Sequence, residues 1–128
     1  MGYYMDLEDH AFTVNFDQKA KALAEVKDFT RKMEYGYRWV TKTAVLNSDT
    51  LEEVFDCFGW DTFNDSNGNI VGLDYDGNKI GSEETLFGVL APFIESESYI
   101  QMRGEDGTLW RWCFDGHEIS EVTATVTW

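Results

Sequence analysis

The chain has 128 residues, 43% hydrophobic and 16% aromatic, with 24 acidic residues against ten Lys and Arg, giving a formal net charge of −14 and a pI near 4.3. A chain of this length buries roughly two-thirds of its unfolded surface as one domain, and its aromatic content excludes a disordered acidic tail, which lacks the apolar surface to offset chain entropy. The charge opposes direct contact with nucleic-acid phosphates or a membrane of anionic lipid, both of which need clustered Lys and Arg, and favours a basic protein partner.

Phe12, Val14 and Phe16 alternate with Thr13 and Asn15, the period of a half-buried strand. Asp17 offers a helix N-cap, and Ala20, Leu23, Val26, Phe29 or Thr30, and Met33 recur at helical spacing, predicting an amphipathic helix over 18–33. Gly36 breaks that pattern, and the β-favouring residues from Tyr37 to Ala44 predict a second strand. Asp49 and Glu52 have the form of a capping box, opening a short helix with Leu51, Val54, Phe55 and Phe58 on one side and Gly59 at its end.

A strand from Trp60 to Phe63 then meets Asn67-Gly68, a hairpin dipeptide, and returns from Ile70 to Tyr75. Asp76-Gly77 is a further turn. Ser82 opens a helix carrying Leu86, Phe87 and Leu90, which Pro92 stops. Tyr99–Arg103, Thr108–Phe114 and a last strand towards Trp128, joined by turns at Asp106-Gly107 and Asp115-Gly116, read as a meander. The expected architecture is one α+β domain over residues 1–128: a single antiparallel sheet with about three helices on one face. Weak helix-strand-strand repeats accompany it, Tyr75–Ile80 aligning with Phe114–Ile119.

Met1-Gly2-Tyr3-Tyr4-Met5-Asp6 at the start, and Ser98–Gly107 with Trp110-Arg111-Trp112 near the end, carry a resemblance. In these segments the chain resembles small acidic proteins of gut Firmicutes and their phages, a family of uncharacterised role. The resemblance implies a bacterial or phage setting and no activity.

Charge is unevenly spread. Seven of the ten basic residues lie between Lys19 and Lys42, whereas residues 43–128 hold 17 acids against Lys79, Arg103 and Arg111. No run approaches 18 apolar residues and the start lacks the cationic flank of a signal peptide, so a cytoplasmic protein is expected. Asp6 stands where myristoylation of Gly2 needs Ser or Thr. Cys57 and Cys113 are too few for a disulfide framework and read as small buried hydrophobes.

Chemistry finds little purchase. His10 and His117 are the only imidazoles, neither beside a nucleophile in the sequence, and no His/Cys spacing suits zinc. Asp65-Ser66-Asn67-Gly68-Asn69 places Gly fourth where a calcium loop needs it sixth. Gly81-Ser82-Glu83-Glu84 would repel a phosphate. No enzyme, metal or cofactor is expected.

What remains is contact. Asp65, Asp74, Asp76, Glu83, Glu84, Glu105 and Asp106, at turns and helix starts, read as an exposed acidic docking surface, and Trp110, Arg111 and Trp112 as partner-binding or core residues on a strand whose Trp face opposes its Arg face. The function these suggest is an acidic interaction protein, such as a phage or mobile-element inhibitor that mimics nucleic-acid charge to block a basic defence or nucleic-acid-handling protein. An immunity protein neutralising a cationic toxin and a small-ligand-binding domain are the alternatives. The basic helix also allows head-to-tail self-association.

Overall fold

A computed structural model describes residues 4–33, 42–75 and 83–123. Among them run β1 (Met5–Ala11), α1 (Lys19–Lys32), α2 (Lys42–Leu46), α3 (Leu51–Cys57), β2 (Trp60–Asn64), β3 (Ile70–Tyr75), α4 (Glu83–Leu90), β4 (Tyr99–Gly104), β5 (Leu109–Phe114) and β6 (Ile119–Thr123). The fold is α+β and every strand pair is antiparallel. The strands divide into a four-stranded sheet ordered β1-β4-β5-β6 and a β2-β3 ribbon. Val14 and Ile70 join the two by exchanging backbone hydrogen bonds of 2.9 Å. Nearby, the Leu73 amide donates to His10 Nε2 at 3.2 Å, so an imidazole supplies the acceptor that a neighbouring strand's carbonyl would otherwise provide.

The first strand lies earlier than the Phe12–Phe16 alternation predicts. A bulge between Leu7 and Asp9 switches the parity of β1, so that Met5 and Leu7 and then His10 turn inward while Asp6, Glu8 and Asp9 remain outside. Phe12 and Val14 are core residues just beyond it, whereas Phe16 is 64% exposed in the 3-10 turn Phe16–Gln18. Asp17 lies in that turn and does not cap α1, whose N-cap position is Gln18. The buried stripe of α1 is Ala22, Val26 and Thr30, with the Thr30 hydroxyl donating to the Val26 carbonyl at 2.7 Å; Ala20 and Phe29 are exposed.

Lys42 to Ala44, expected in a strand, belong to α2 instead, and Gly36 and Tyr37 to Thr41 lie outside the described residues. Lys42 Nζ donates to the Met33 carbonyl at 2.7 Å, occupying an acceptor at the C-terminal end of α1. The cap of α3 sits one residue later than expected: the Thr50 side chain accepts from the Glu53 amide at 3.1 Å, and the Glu53 carboxylate accepts from the Asp49 amide. Leu51, Val54, Phe55 and Phe58 are buried as their spacing predicts, and Gly59 ends the helix with φ +84°.

The β2-β3 ribbon, the helix carrying Leu86, Phe87 and Leu90, and the terminal meander follow their patterns closely. Asp76-Gly77, Ser82 and Trp128 lie outside the described residues, as does most of the Tyr75–Ile80 repeat segment. The meander gains a fourth strand because β1 returns to pair with β4, Met5 opposite Gly104 and Ala11 opposite Tyr99. The core fills the inner face of this sheet. Phe87 of α4 meets Phe12, Phe55, Trp60, Trp112 and Phe114 at ring separations of 5.4 to 6.3 Å.

Candidate interaction surface

Carboxylates cover the outside of this fold. Of the 22 that are described, 19 are exposed, Asp28 and Glu52 are half-buried, and Glu83 is buried. Three form ion pairs among the described residues: Glu8 with Arg103, Asp28 with Lys32, and Glu52 with Lys19. Lys19 also reaches Asn64 Oδ1 at 3.1 Å, so one ammonium ties α1 to α3 and β2. Burial pushes the Glu52 carboxyl up, and the bond from Lys19, the residue's own backbone amide, the Lys19 charge and Asn64 together outweigh it, leaving the carboxyl below its usual range.

The structure separates the ten residues singled out for partner binding. Asp65, Asp74, Glu84, Glu105 and Asp106 are exposed, and Asp76 lies outside the described residues. Asp65 and Asp106 are occupied by their own turns: Asp65 accepts from the Asn67 and Asn69 amides at 2.9 Å, Asp106 from the Thr108 amide at 3.0 Å. Asn69, through its side chain and then its amide, holds the Asp65 carboxyl below its ordinary value. Asp74 stands directly across the ribbon from Asp61, two like charges in register. Glu83 departs from its predicted place on the acidic surface: as the first residue of α4 it is only 2% exposed, with the Tyr75 hydroxyl 3.5 Å away.

Trp110 and Trp112 also depart from a partner-binding role, because they point to the inner face and are 8% and 0% exposed. Arg111 alternates with them and emerges on the other face. There the hairpin at Asp106-Gly107 sets Tyr99, Gln101 and Arg103 of β4 beside Leu109, Arg111 and Cys113 of β5, with Ser120 and Val122 of β6 next in line. The Tyr99 hydroxyl donates to Asp9 Oδ2 at 2.8 Å, the Arg111 guanidinium lies 4.2 Å from the centre of the Tyr99 ring, and Arg111 Nε donates to Gln101 Oε1 at 2.7 Å. The bond from Tyr99 holds the Asp9 carboxyl below its usual range and raises the phenol in return. Arg103 forms a forked pair with Glu8, at 3.0 and 3.1 Å.

Sequence reasoning singled out Arg111 and not Tyr99 or Gln101, its neighbours on this face. The signal was present in the alternation of β4, yet it becomes legible only once the Gly107 hairpin fixes Gln101 opposite Arg111.

At the far edge of the sheet, Glu84 of α4 and Glu121 of β6 share a shallow depression with Trp112 and Ile119. The Trp112 indole donates to Glu121 Oε1 at 3.2 Å. A hydrogen bond between the two carboxyls, then burial and the Glu121 charge, raise the Glu84 carboxyl above its ordinary value. Among the described residues no group of three His, Cys, Asp or Glu is disposed to hold a metal ion, and no helix is long and apolar enough to cross a membrane. Comparison of the chain with protein-family models, with curated proteins and with solved structures finds no match.

Proposed function

We propose that this chain is a protein-binding module whose exposed carboxylates attract a basic partner, in particular a nucleic-acid-handling protein whose phosphate-binding groove they occupy. The observation that carries this reading is the exposure of 19 of 22 described carboxylates, with three of the 22 ion-paired to described bases. A predominantly negative field over a folded body raises the encounter rate with an oppositely charged partner and repels like-charged ones. Turn hydrogen bonds keep Asp65 and Asp115 below the usual carboxylate range, so these positions hold their charge into mildly acidic solution. In the bacterial or phage setting that the terminal motifs suggest, the partner is a host defence or nucleic-acid-processing protein. The reading assigns no catalysis: His10 Nε2 is taken by the Leu73 amide, and His117 is an exposed turn residue.

Capture from a bacterial lysate on the immobilised chain, at about 0.1 M and about 1 M salt, tests this, since the screening length falls from about 10 Å to about 3 Å between them. Basic proteins retained at the lower salt, released at the higher and displaced by duplex DNA are the expected result. A retained set with no excess of basic proteins, or one indifferent to salt, would defeat the proposal.

A further inference from the structure

The outer face of β4, β5 and β6 differs from the rest of the molecule. Its residues are Tyr99, Gln101, Arg103, Leu109, Arg111, Cys113, Ser120 and Val122: no carboxylate, two arginines and several apolar side chains, with Val122 55% exposed. Carboxylates lie around it, Asp6, Glu8 and Asp9 on β1, Glu105 and Asp106 at one hairpin end, Asp115 and Glu118 at the other. A centre depleted of Asp, Glu and Lys, enriched in Tyr and Arg and bordered on three sides by charge is the composition of a protein interface.

Within the centre the two arginines are in different states. Arg103 is satisfied by Glu8. Arg111 is oriented without being satisfied: Tyr99 stacks on it and Gln101 binds Nε, while Nη1 and Nη2 form no hydrogen bond with any described residue. Leu109, Trp110 and Val122 line a depression beside it. A planar fork fixed in position with two open donors fits a carboxylate, and the neighbouring depression fits an apolar side chain.

We infer that this sheet face is the contact surface for a protein partner that places a carboxylate on Arg111 and an adjacent apolar side chain against Leu109 and Val122, with lysines or arginines around that contact facing the acidic rim. The inference rests on the proposed binding to a basic partner and adds where and how the partner is held. A second copy of this chain is the poorer occupant, because a two-fold pairing brings like patches together and sets acidic rim against acidic rim.

A random peptide library displayed on phage and selected against the folded chain tests this without knowledge of the partner. The expected peptides carry Asp or Glu next to an apolar residue, flanked by Lys or Arg, and shift the backbone amide resonances of β4, β5 and β6. Arg111→Ala and Arg111→Lys weaken their binding by at least about tenfold, since a lysine cannot reproduce the fork; Arg31→Ala on the exposed side of α1 leaves it unchanged. Both Arg111 substitutions are at an exposed position, and an unchanged amide spectrum verifies the fold. Failure to select any peptide, peptides without a carboxylate, or equal binding to Arg111→Ala would overturn the inference. So would a wild-type dimer, seen by sedimentation, that Arg111→Ala dissociates. Lysine-rich, salt-sensitive peptides indifferent to Arg111 would remove the sheet contact and leave the basic-partner reading standing. Peptides that need Arg111 but carry no basic residue would remove that reading and the rim's role, and keep the Arg111 anchor.

Discussion

Phe87 is the residue on which the packing converges, since rings from α3, β2, β5 and the Phe12 segment all meet it. Its truncation leaves a void that five rigid aromatic neighbours cannot fill by rotation. Phe87→Ala is expected to cost about 3–5 kcal/mol of unfolding free energy in a denaturant titration, and a loss below about 1 kcal/mol would show that the rings repack. Glu84 presents the opposite case, a residue whose removal helps. Its raised carboxyl means that the folded chain holds more protons than the unfolded one between the ordinary carboxylate range and the raised value, so its contribution to stability falls as pH climbs through that window. Glu84→Gln is therefore expected to raise the melting temperature at pH 7, by the equivalent of a few tenths of a kcal/mol for so exposed a pair. The gain fades towards pH 4, where wild-type Glu84 is itself protonated. An equal gain at both pH values would rule out the shared proton. Asp65 and Asp115, with lowered carboxyls, act in the other direction: the stability they add is present above the ordinary carboxylate range and is lost as pH falls through their lowered values.

At the scale of elements, the cap of α3 gives a direct comparison. Thr50→Ala removes an acceptor for the Glu53 amide and is expected to cost about 1 kcal/mol, whereas Asp49→Ala leaves the side-chain cap intact and costs little. Equal losses in thermal unfolding would return the cap to Asp49. That misplacement by one residue shows what composition reveals and what it hides. Asp49/Glu52 and Thr50/Glu53 both satisfy the spacing of a capping box, and only the backbone decides between them. The hairpins were legible because Asn67-Gly68, Asp106-Gly107 and Asp115-Gly116 each supply a residue for positive φ, observed at +83°, +86° and +91°. β1 was hidden because its bulge shifts the inward positions from odd to even numbers, erasing the alternation that marks a strand. Helix α2 was missed because Thr, Val and Ala allow either state, and its Lys42 bond to Met33 is a tertiary contact with no local signature.

For the molecule as a whole, net charge was readable from composition, and so was its excess after Lys42. The place where charge is missing was not. The carboxylate-free patch exists only because β4, β5 and β6 align one set of alternating residues across three strands; alternation alone set Arg111 opposite Trp110 and Trp112, and the packing of β5 decides which of the two faces is outward. A formal charge of −14 on a small body also implies self-repulsion in the folded state. Raising salt from about 0.01 M to about 0.5 M is expected to raise the melting temperature by a few degrees while weakening any basic ligand, two opposite trends from one screening effect. A melting temperature that falls over this range would mean that attractive pairs such as Lys19–Glu52 outweigh the repulsion.

The pairing of β1 with β4 bears on how the protein is made. The register partner of Met5 is Gly104, far later in the chain, so the first strand must wait for all the residues between them to be made before its ladder can close. The three acids at Asp6, Glu8 and Asp9 keep that waiting segment hydrated and discourage premature association with other nascent chains. Once in place, the same strand covers the Tyr99–Gly104 edge, and a product cut after Ala11 would uncover a row of backbone donors and acceptors able to recruit strands from other molecules.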